Sequence, residues 1–220
     1  MPENEKINAL IRERTAQLQN LQDSMVIVLA DLITNRSMGM IGHIERTTNC
    51  IKILTDEMLK RGKYINDLKK FDIDIFCSSA RLYDIGKLLI PDSILNKPDK
   101  LTNDEFELMK THALEGEHII DQIASRTKTN MEFLNHAKFF AGYHHERWDG
   151  KGYPHKLNRL NIPIQGRIMA IIDVYDALVS KRPYKNPFTP EEAAKIIMDS
   201  AGEMFDPIIS DIFFEVREKF

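Results

Sequence analysis

The chain has 220 residues, of which 43% are hydrophobic, and its 30 lysine and arginine residues nearly balance 33 aspartate and glutamate residues, for a net charge of -3. This composition suffices for one buried core and excludes the basic surface typical of proteins that bind duplex nucleic acid or anionic membranes. With no apolar run of about 18 residues, a polar N-terminus and two cysteines (Cys50 and Cys77) that lack metal-binding spacing, we expect a cytoplasmic protein with buried thiols.

A long amphipathic helix is predicted from about Glu5 to Arg36. Its apolar residues recur at spacings of three and four, namely Ile7, Leu10, Ile11, Leu18, Leu21, Met25, Val28, Leu29 and Leu32. A helix of about 30 residues exceeds the usual length in globular proteins. Its charged first half is interpreted as an exposed stalk through which two copies dimerise, and its second half as part of the core. The alternative is a simple packed helix.

The rest of the chain also favours helices, and no alternating strand pattern competes with them. Thr102 and Glu105 form a capping box before one of these helices. The predicted helices span about 40–60, with Ile44, Thr47, Ile51, Leu54 and Met58 inward, and then 72–87, 102–124, 130–145, 164–180, 190–200 and 207–219. The fold class is therefore all-α, with residues 1–36 as a linker or dimerisation helix and 37–220 as the globular domain.

Six side chains that can bind a metal lie on apolar helix faces: His43, Asp84, His112, His144, His145 and Asp173. A single such histidine is more often a hydrogen-bonded core residue, and a single buried aspartate is more often paired with arginine. Together they favour a metal site, and their imidazole and carboxylate groups suit iron, manganese or zinc without choosing among them. Gly116, one turn after His112, would let another backbone approach closely. We take His118, His136 and His155 as bystanders, spaced off the apolar faces or in loops.

Many segments, in one order, resemble the HD-GYP domain family, the helical metal-dependent phosphohydrolases that degrade the bacterial messenger cyclic di-GMP. The resemblance covers residues 25 to 215. It rests on Gly42–Arg46, Asp84–Leu95, Met109–His112 with Gly116, the segment His144–Pro154 that contains Gly152-Tyr153-Pro154, Asp173–Leu178, Arg182–Lys185 and Phe205–Pro207. It implies an HD-superfamily helical bundle preceded here by the long N-terminal helix.

The resemblance also implies roles for individual residues. His43, Asp84, His112, His144, His145 and Asp173 fall on the family's metal ligands, with Asp84 bridging two ions that hold an attacking hydroxide. Lys87 would meet the scissile phosphate or the attacking water, so Asp84 and Lys87 are the catalytic candidates. Arg182 and Lys185 match positions that hold substrate phosphates, and Tyr153 lies beside the cleft. The implied cofactor is one or two divalent transition ions, iron or manganese.

Three positions depart from the family pattern, and one of them is Ser37, where many members have an aspartate. The family is named after an adjacent histidine and aspartate, and Tyr83 stands here in place of that histidine, directly before Asp84. This replacement removes one ligand from the pocket of His43, Asp84 and Asp173. A phenol ligates readily only when a strong Lewis acid deprotonates it. Gly39 stands where some members supply a carboxylate, and this argues against a third ion.

These residues leave open an HD-GYP phosphodiesterase with altered metal loading, a degenerate module that binds cyclic di-GMP or a protein without turnover, and a phosphohydrolase acting on another nucleotide. The resemblance also implies a homodimer through the N-terminal helix and a sensory domain upstream. It further implies a diguanylate cyclase docked near Trp148 and Tyr153, on the loop that contains Gly152-Tyr153-Pro154 (the GYP loop). The alternative for that loop is that it only folds over the cleft.

Overall fold

The computed structural model describes residues 3–36, 43–127, 132–180 and 186–220. Over these segments the α-helices are α1 (Glu3–Arg36), α2 (His43–Lys60), α3 (Ile65–Leu68), α4 (Ile73–Ser79), α5 (Asp92–Leu95), α6 (Asn103–Thr127), α7 (Glu132–Tyr143), α8 (Ile164–Val179), α9 (Pro190–Asp199) and α10 (Pro207–Val216). The described residues contain no strand longer than the isolated bridge between Ala201 and Phe205, so the all-α prediction is confirmed. None of the described helices combines the length and the apolar character needed to cross a bilayer.

Among the residues that the structure describes, the second half of the long helix α1 joins the bundle. Val26, Ala30 and Ile33 are buried there, and Val26 and Ile33 pack with Leu82 and Ile85 in a small core cluster. The prediction that this half enters the core is therefore confirmed. Another face of the same helix carries apolar side chains that are 50% to 67% exposed, namely Ile7, Leu10, Ile11, Leu18, Leu21, Met25, Val28 and Leu32.

The main core lies between α2, α8 and α10, with α4, α7 and α9 around them. The face of α2 that was predicted to point inward is buried at all five positions, Ile44, Thr47, Ile51, Leu54 and Met58. Every residue of α8 from Ile164 to Ile172 is buried, because this helix is surrounded by its neighbours. The next turn of α8 carries Asp173, and this places a carboxylate at the edge of the core.

The prediction of one helix from Asp72 to Lys87 was wrong. α4 ends at Ser79 and is followed by two 3-10 turns, Ala80–Leu82 and Ile85–Leu89. Gly86 lets the second turn lie close to α6, where an added Cβ would be 1.9 Å from the carbonyl oxygen of His112. Asp84 lies between the two turns, with φ −98° and ψ 12°. The break places Asp84 beside α6 instead of along a continuing helix.

The remaining boundaries differ from the predictions by a few residues. α6 continues to Thr127, and its capping box is confirmed because the backbone N–H of Glu105 donates to Oγ1 of Thr102 while the N–H of Thr102 donates to Glu105. The last predicted helix divides into α10 and a 3-10 turn, Arg217–Lys219. The predicted starts of α2 and α7, at residues 40 and 130, lie outside the described residues.

Candidate metal centre

Three histidines and one aspartate converge where α6 meets the end of α7. His112 lies on α6, and His144 and His145 follow the last residue of α7. One ligand atom from each histidine lies within 4.8 Å of the others. Oδ1 of Asp84 is 3.5 Å from Nε2 of His112 and 3.8 Å from Nε2 of His144. The structure thus brings together four of the six side chains that the sequence predicted as ligands.

The hydrogen bonds of the two buried rings, His112 and His144, show which nitrogens face the centre. Nδ1 of His112 lies 2.7 Å from the carbonyl oxygen of Met109, and Nδ1 of His144 lies 2.9 Å from that of Ala141. A carbonyl oxygen only accepts, so each Nδ1 donates its hydrogen, and a neutral ring then presents a bare lone pair at Nε2. The two Nε2 atoms are 3.2 Å apart. Facing lone pairs repel each other unless a cation lies between them.

Asp84 adds a negative charge to this pair. Its buried Oδ1 has no hydrogen-bond partner in the described parts of the chain, which is costly for a carboxylate. Burial opposes its ionisation, yet Lys87, His112 and His144 hold the pKa of Asp84 below its usual range. Burial lowers the pKa of His112 to about 4, so this ring is neutral near pH 7. Imidazole nitrogens beside an unsatisfied carboxylate oxygen fit a divalent transition ion.

Lys87 lies at the edge of the same cluster. Its ammonium donates to Oδ2 of Asp84 at 2.5 Å, because the 3-10 turn places the two residues on one side. The side chain of Lys87 is 25% exposed, so a ligand arriving from solvent can reach it. The structure places Lys87 beside Asp84, and the catalytic roles that the family resemblance implies for both residues stay predictions.

Tyr83 lies between the other two predicted ligands. Its phenol oxygen is 2.7 Å from Nε2 of His43, and its hydroxyl donates to Oδ1 of Asp173 at 3.0 Å. Burial first, and then Asp173 and Asp84, raises the pKa of Tyr83 well above its ordinary value. The phenol therefore stays neutral and is a poor metal ligand. A hydroxyl group thus takes up the hydrogen-bonding capacity that His43 and Asp173 would offer to an ion.

Asp176 holds His43 in place and was missed in the sequence. Its Oδ2 accepts from Nδ1 of His43 at 2.6 Å, and its Oδ1 accepts from the guanidinium of Arg46 at 2.9 Å. Burial works against ionisation of Asp176, but His43 and Arg46 keep its pKa below the usual value. The available signal was a second carboxylate on the same helix, three residues after Asp173 and likewise among apolar neighbours.

Arg36, the last residue of α1, was also missed. Its guanidinium donates to the carbonyl oxygens of Lys87, Leu88 and Ile90 at 2.7 to 2.9 Å, and to Oδ1 of Asp92 at 3.0 Å. These carbonyls belong to the end of the 3-10 turn that carries Lys87. The sequence shows only an arginine at a helix end, and such a residue gives no sign of the partner it will reach. In the fold it ties α1 to the segment of Asp84 and Lys87.

The loop that contains Tyr153 folds over the histidines. Glu146 is buried and accepts from the backbone N–H groups of His155, Lys156 and Leu157, which fixes the shape of the loop. The ring of Tyr153 lies 4.7 Å from that of His145, centroid to centroid. A cleft of about 380 Å³, lined in part by His144, His145, Tyr153 and Asp173, opens beside this contact. Its size suits a small organic ligand, and Tyr153 lies beside it as predicted.

Some predicted positions cannot be placed. Arg182, Lys185, Gly39 and Ser37 lie outside the described residues. Among the predicted bystanders, His118 is half exposed and His155 bonds to Glu117. The expectation that His136 lies off the apolar face was wrong, because it is buried and lies 2.8 Å from the amide nitrogen of Gln165. It is a hydrogen-bonded core histidine.

Comparison with known proteins identifies the family of this chain. The family model "HD domain" matches residues 27–209. A cyclic di-GMP phosphodiesterase of Vibrio cholerae is 40% identical over 204 residues, which are 93% of this chain and 41% of the relative. A cyclic di-GMP phosphodiesterase of Thermotoga maritima is 43% identical over 192 residues, which are 87% of this chain and 48% of the relative. The chain thus spans less than half the length of either relative.

A solved structure shows the same fold at low sequence identity. The crystal structure of a cyclic GMP-AMP-specific phosphodiesterase of V. cholerae superposes with a TM-score of 0.52 at 16% identity, over 86% of this chain and 49% of the other. The helical bundle and its cluster of histidines and aspartate define an HD-superfamily protein. The chain belongs to the HD domain family, and its motifs and relatives place it in the HD-GYP type.

Proposed function

We propose that this chain is the catalytic module of a metal-dependent phosphodiesterase that hydrolyses cyclic di-GMP. The observation that carries the proposal is the pair of facing Nε2 atoms of His112 and His144, 3.2 Å apart beside the unsatisfied carboxylate oxygen of Asp84. The names of the two relatives support the substrate. We further infer a single iron or manganese ion, held by Asp84, His112, His144 and His145.

The residues of the chain prepare the site for attack on phosphorus. When bound, a divalent transition metal supplies Lewis acidity, which acidifies water and offsets phosphoryl charge. The backbone carbonyls that accept from Nδ1 of His112 and His144 fix the orientation of both rings. Lys87 presents a cation at the same edge and can meet a non-bridging phosphate oxygen. Addition of one water across a phosphodiester bond would leave a linear dinucleotide, and Arg182 and Lys185 stay the predicted phosphate contacts.

A second candidate function is a sensor module that binds cyclic di-GMP without turnover. The position of Tyr83 favours it, because the phenol oxygen lies between His43 and Asp173, where a two-ion reaction would need its second ion. The two candidates share the fold and the histidine cluster. They differ in whether one ion suffices for hydrolysis.

The test separates binding from turnover. Protein loaded anaerobically with iron or manganese is incubated with cyclic di-GMP for hours, and products are separated by chromatography, alongside other cyclic dinucleotides. We expect cleavage that His112→Ala and Asp84→Asn abolish and that His118→Ala, a half-exposed histidine away from the cluster, leaves unchanged. Binding without product supports the sensor function. Absence of both binding and cleavage contradicts both candidates, and preferential cleavage of another nucleotide contradicts the proposed substrate.

We also infer that α1 dimerises through its exposed apolar face. The positions along this face of α1 are spaced alternately by four and three residues, as in a coiled-coil seam. The seam comprises Ile7, Ile11, Arg14, Leu18, Leu21, Met25, Val28 and Leu32, and its seven apolar members are 50% to 67% exposed. A second copy of the same helix is the occupant that fits a repeat of this length. This inference supports a division into a dimerisation helix, 1–36, and a catalytic domain, 37–220.

Light scattering at tens of micromolar tests the dimer. We expect the double variant Leu18→Glu/Met25→Glu to be monomeric and Leu160→Glu, at a 66% exposed position elsewhere, to remain dimeric. A monomeric parent protein contradicts the inference. The contact between the GYP loop and a diguanylate cyclase, near Trp148, stays a prediction that Trp148→Ala can test by co-purification.

A further inference from the structure

Phe106 is a large apolar side chain that remains 49% exposed near the start of α6. A single exposed aromatic residue is ordinary on a protein surface. This one lines the same cleft as His144, His145 and Tyr153. It lies six residues before His112, about 9 Å along the helix axis. An aromatic face therefore stands within reach of a ligand that also reaches the histidine cluster.

Lys110 lies between Phe106 and the GYP loop. Its ammonium nitrogen is 5.6 Å from the ring centroid of Phe106 and 5.6 Å from that of Tyr153. Glu107 holds the ammonium from the solvent side at 2.6 Å. The cleft is thus bordered by two aromatic rings with a hydrogen-bond donor between them, and Met204 contributes to its apolar lining.

We propose that Phe106 and Lys110 form the subsite for a guanine base of the substrate. The proposal rests on the proposed function, because it places the base of a cyclic dinucleotide whose phosphate lies at the histidine cluster. Aromatic faces stack on nucleobases of every kind. A lysine ammonium only donates, and guanine offers two adjacent acceptors, O6 and N7, whereas adenine offers N7 beside an amino donor. Phe106 therefore supplies affinity, and Lys110 selects guanine over adenine.

Binding of non-hydrolysable phosphorothioate analogues tests the subsite. Calorimetric titrations of the metal-loaded protein compare cyclic di-GMP and cyclic di-AMP analogues, and metal content is measured for every variant. We expect Phe106→Ala to weaken binding of both by about tenfold or more, and Phe106→Trp to bind as the parent does. Lys110→Met lowers the preference for guanine by about tenfold. Leu108→Ala, at another exposed apolar position of α6, is the matched control and changes neither affinity nor metal content.

The outcomes separate the subsite from the proposed function. If the parent protein binds the guanine analogue and Phe106→Ala binds it equally well with full metal content, the subsite is refuted and the function stands. A loss of metal in Phe106→Ala also refutes it, since the side chain would then act on the fold. A parent protein that binds no cyclic dinucleotide refutes both.

Discussion

Replacement of Tyr83 by histidine tests the interpretation of the metal centre most directly. In the parent protein the phenol oxygen lies between Nε2 of His43 and Oδ1 of Asp173. Histidine at this position removes the hydroxyl and adds an imidazole nitrogen beside His43, Asp84 and Asp173. Four such ligands make a complete site for a divalent transition ion. We therefore expect one ion per parent chain and two per Tyr83→His chain.

The expected change in stability follows from the same contacts. Without metal, Tyr83→His loses the two hydrogen bonds of the hydroxyl, and His43 is left buried without that partner, at a cost of about 1 to 3 kcal/mol. Binding of a second ion, present at a hundredfold excess over its dissociation constant, stabilises the folded variant by about 2.7 kcal/mol. The variant should thus be less stable than the parent protein when both are metal-free, and recover most of the difference on loading.

Tyr83→Phe is the matched control, because it keeps the ring and removes only the hydroxyl. We expect it to be destabilised by about 1 to 3 kcal/mol and to bind one ion, since phenylalanine supplies no ligand. Elemental analysis, urea denaturation with and without metal, and anomalous scattering from crystals give the three readouts. Two ions in the parent protein, or one ion in Tyr83→His with circular dichroism that matches the parent, would refute the reasoning.

Three further predictions concern the surroundings of the cluster. Arg36→Met should destabilise the protein by about 2 to 4 kcal/mol in urea denaturation, because four charged hydrogen bonds are lost. The control, Lys52→Met, breaks an exposed ion pair and should change stability by less than about 1 kcal/mol. Gly86→Ala should destabilise the protein by about 1 to 3 kcal/mol and lower its metal content, since the added Cβ would lie 1.9 Å from the carbonyl oxygen of His112. Unchanged stability and metal content in this variant would contradict the prediction. Burial lowers the pKa of His112 to about 4, below its unfolded value of 6.5, so protonation of this ring favours unfolding. The metal-free protein should therefore lose up to about 3 kcal/mol of unfolding free energy as the pH falls from 6.5 to 4. An equally steep dependence of stability on pH in His112→Gln would contradict this assignment.

Much of the bundle follows from periodicity alone. The buried face of α2 was predictable because its apolar residues recur with the helical period, and a single core covers them. The start of α6 was predictable because a capping box is a local interaction between residues three apart. The candidate ligands His112 and His144 were predictable as polar residues on apolar faces, where a bare histidine needs a partner.

The features that the sequence did not reveal depend on contacts between distant segments. The 3-10 turn around Gly86 lies directly against α6, and local propensity contains no information on that approach. The sequence predicted that Tyr83 removes a ligand from the site. It did not reveal that the hydroxyl of Tyr83 bridges His43 and Asp173, which are 40 and 90 residues away. Periodicity gives the face of each residue and leaves the partner across the core undetermined.

The contacts of Arg36 give the N-terminal helix a physical connection to the site. A cavity of about 110 Å³ is lined by Ala30 and Ile33 of α1 together with Tyr83, Asp84 and Lys87. The guanidinium of Arg36 bonds to the carbonyls at the end of the Lys87 turn. A rotation or shift of α1 would therefore have to break these bonds or move the turn, and with it Lys87 relative to the histidines. If α1 dimerises as we infer, a change in its pairing reaches the site through Arg36 and through the packing of Val26 and Ile33 against Leu82 and Ile85, since packed elements shift between discrete arrangements and do not deform continuously.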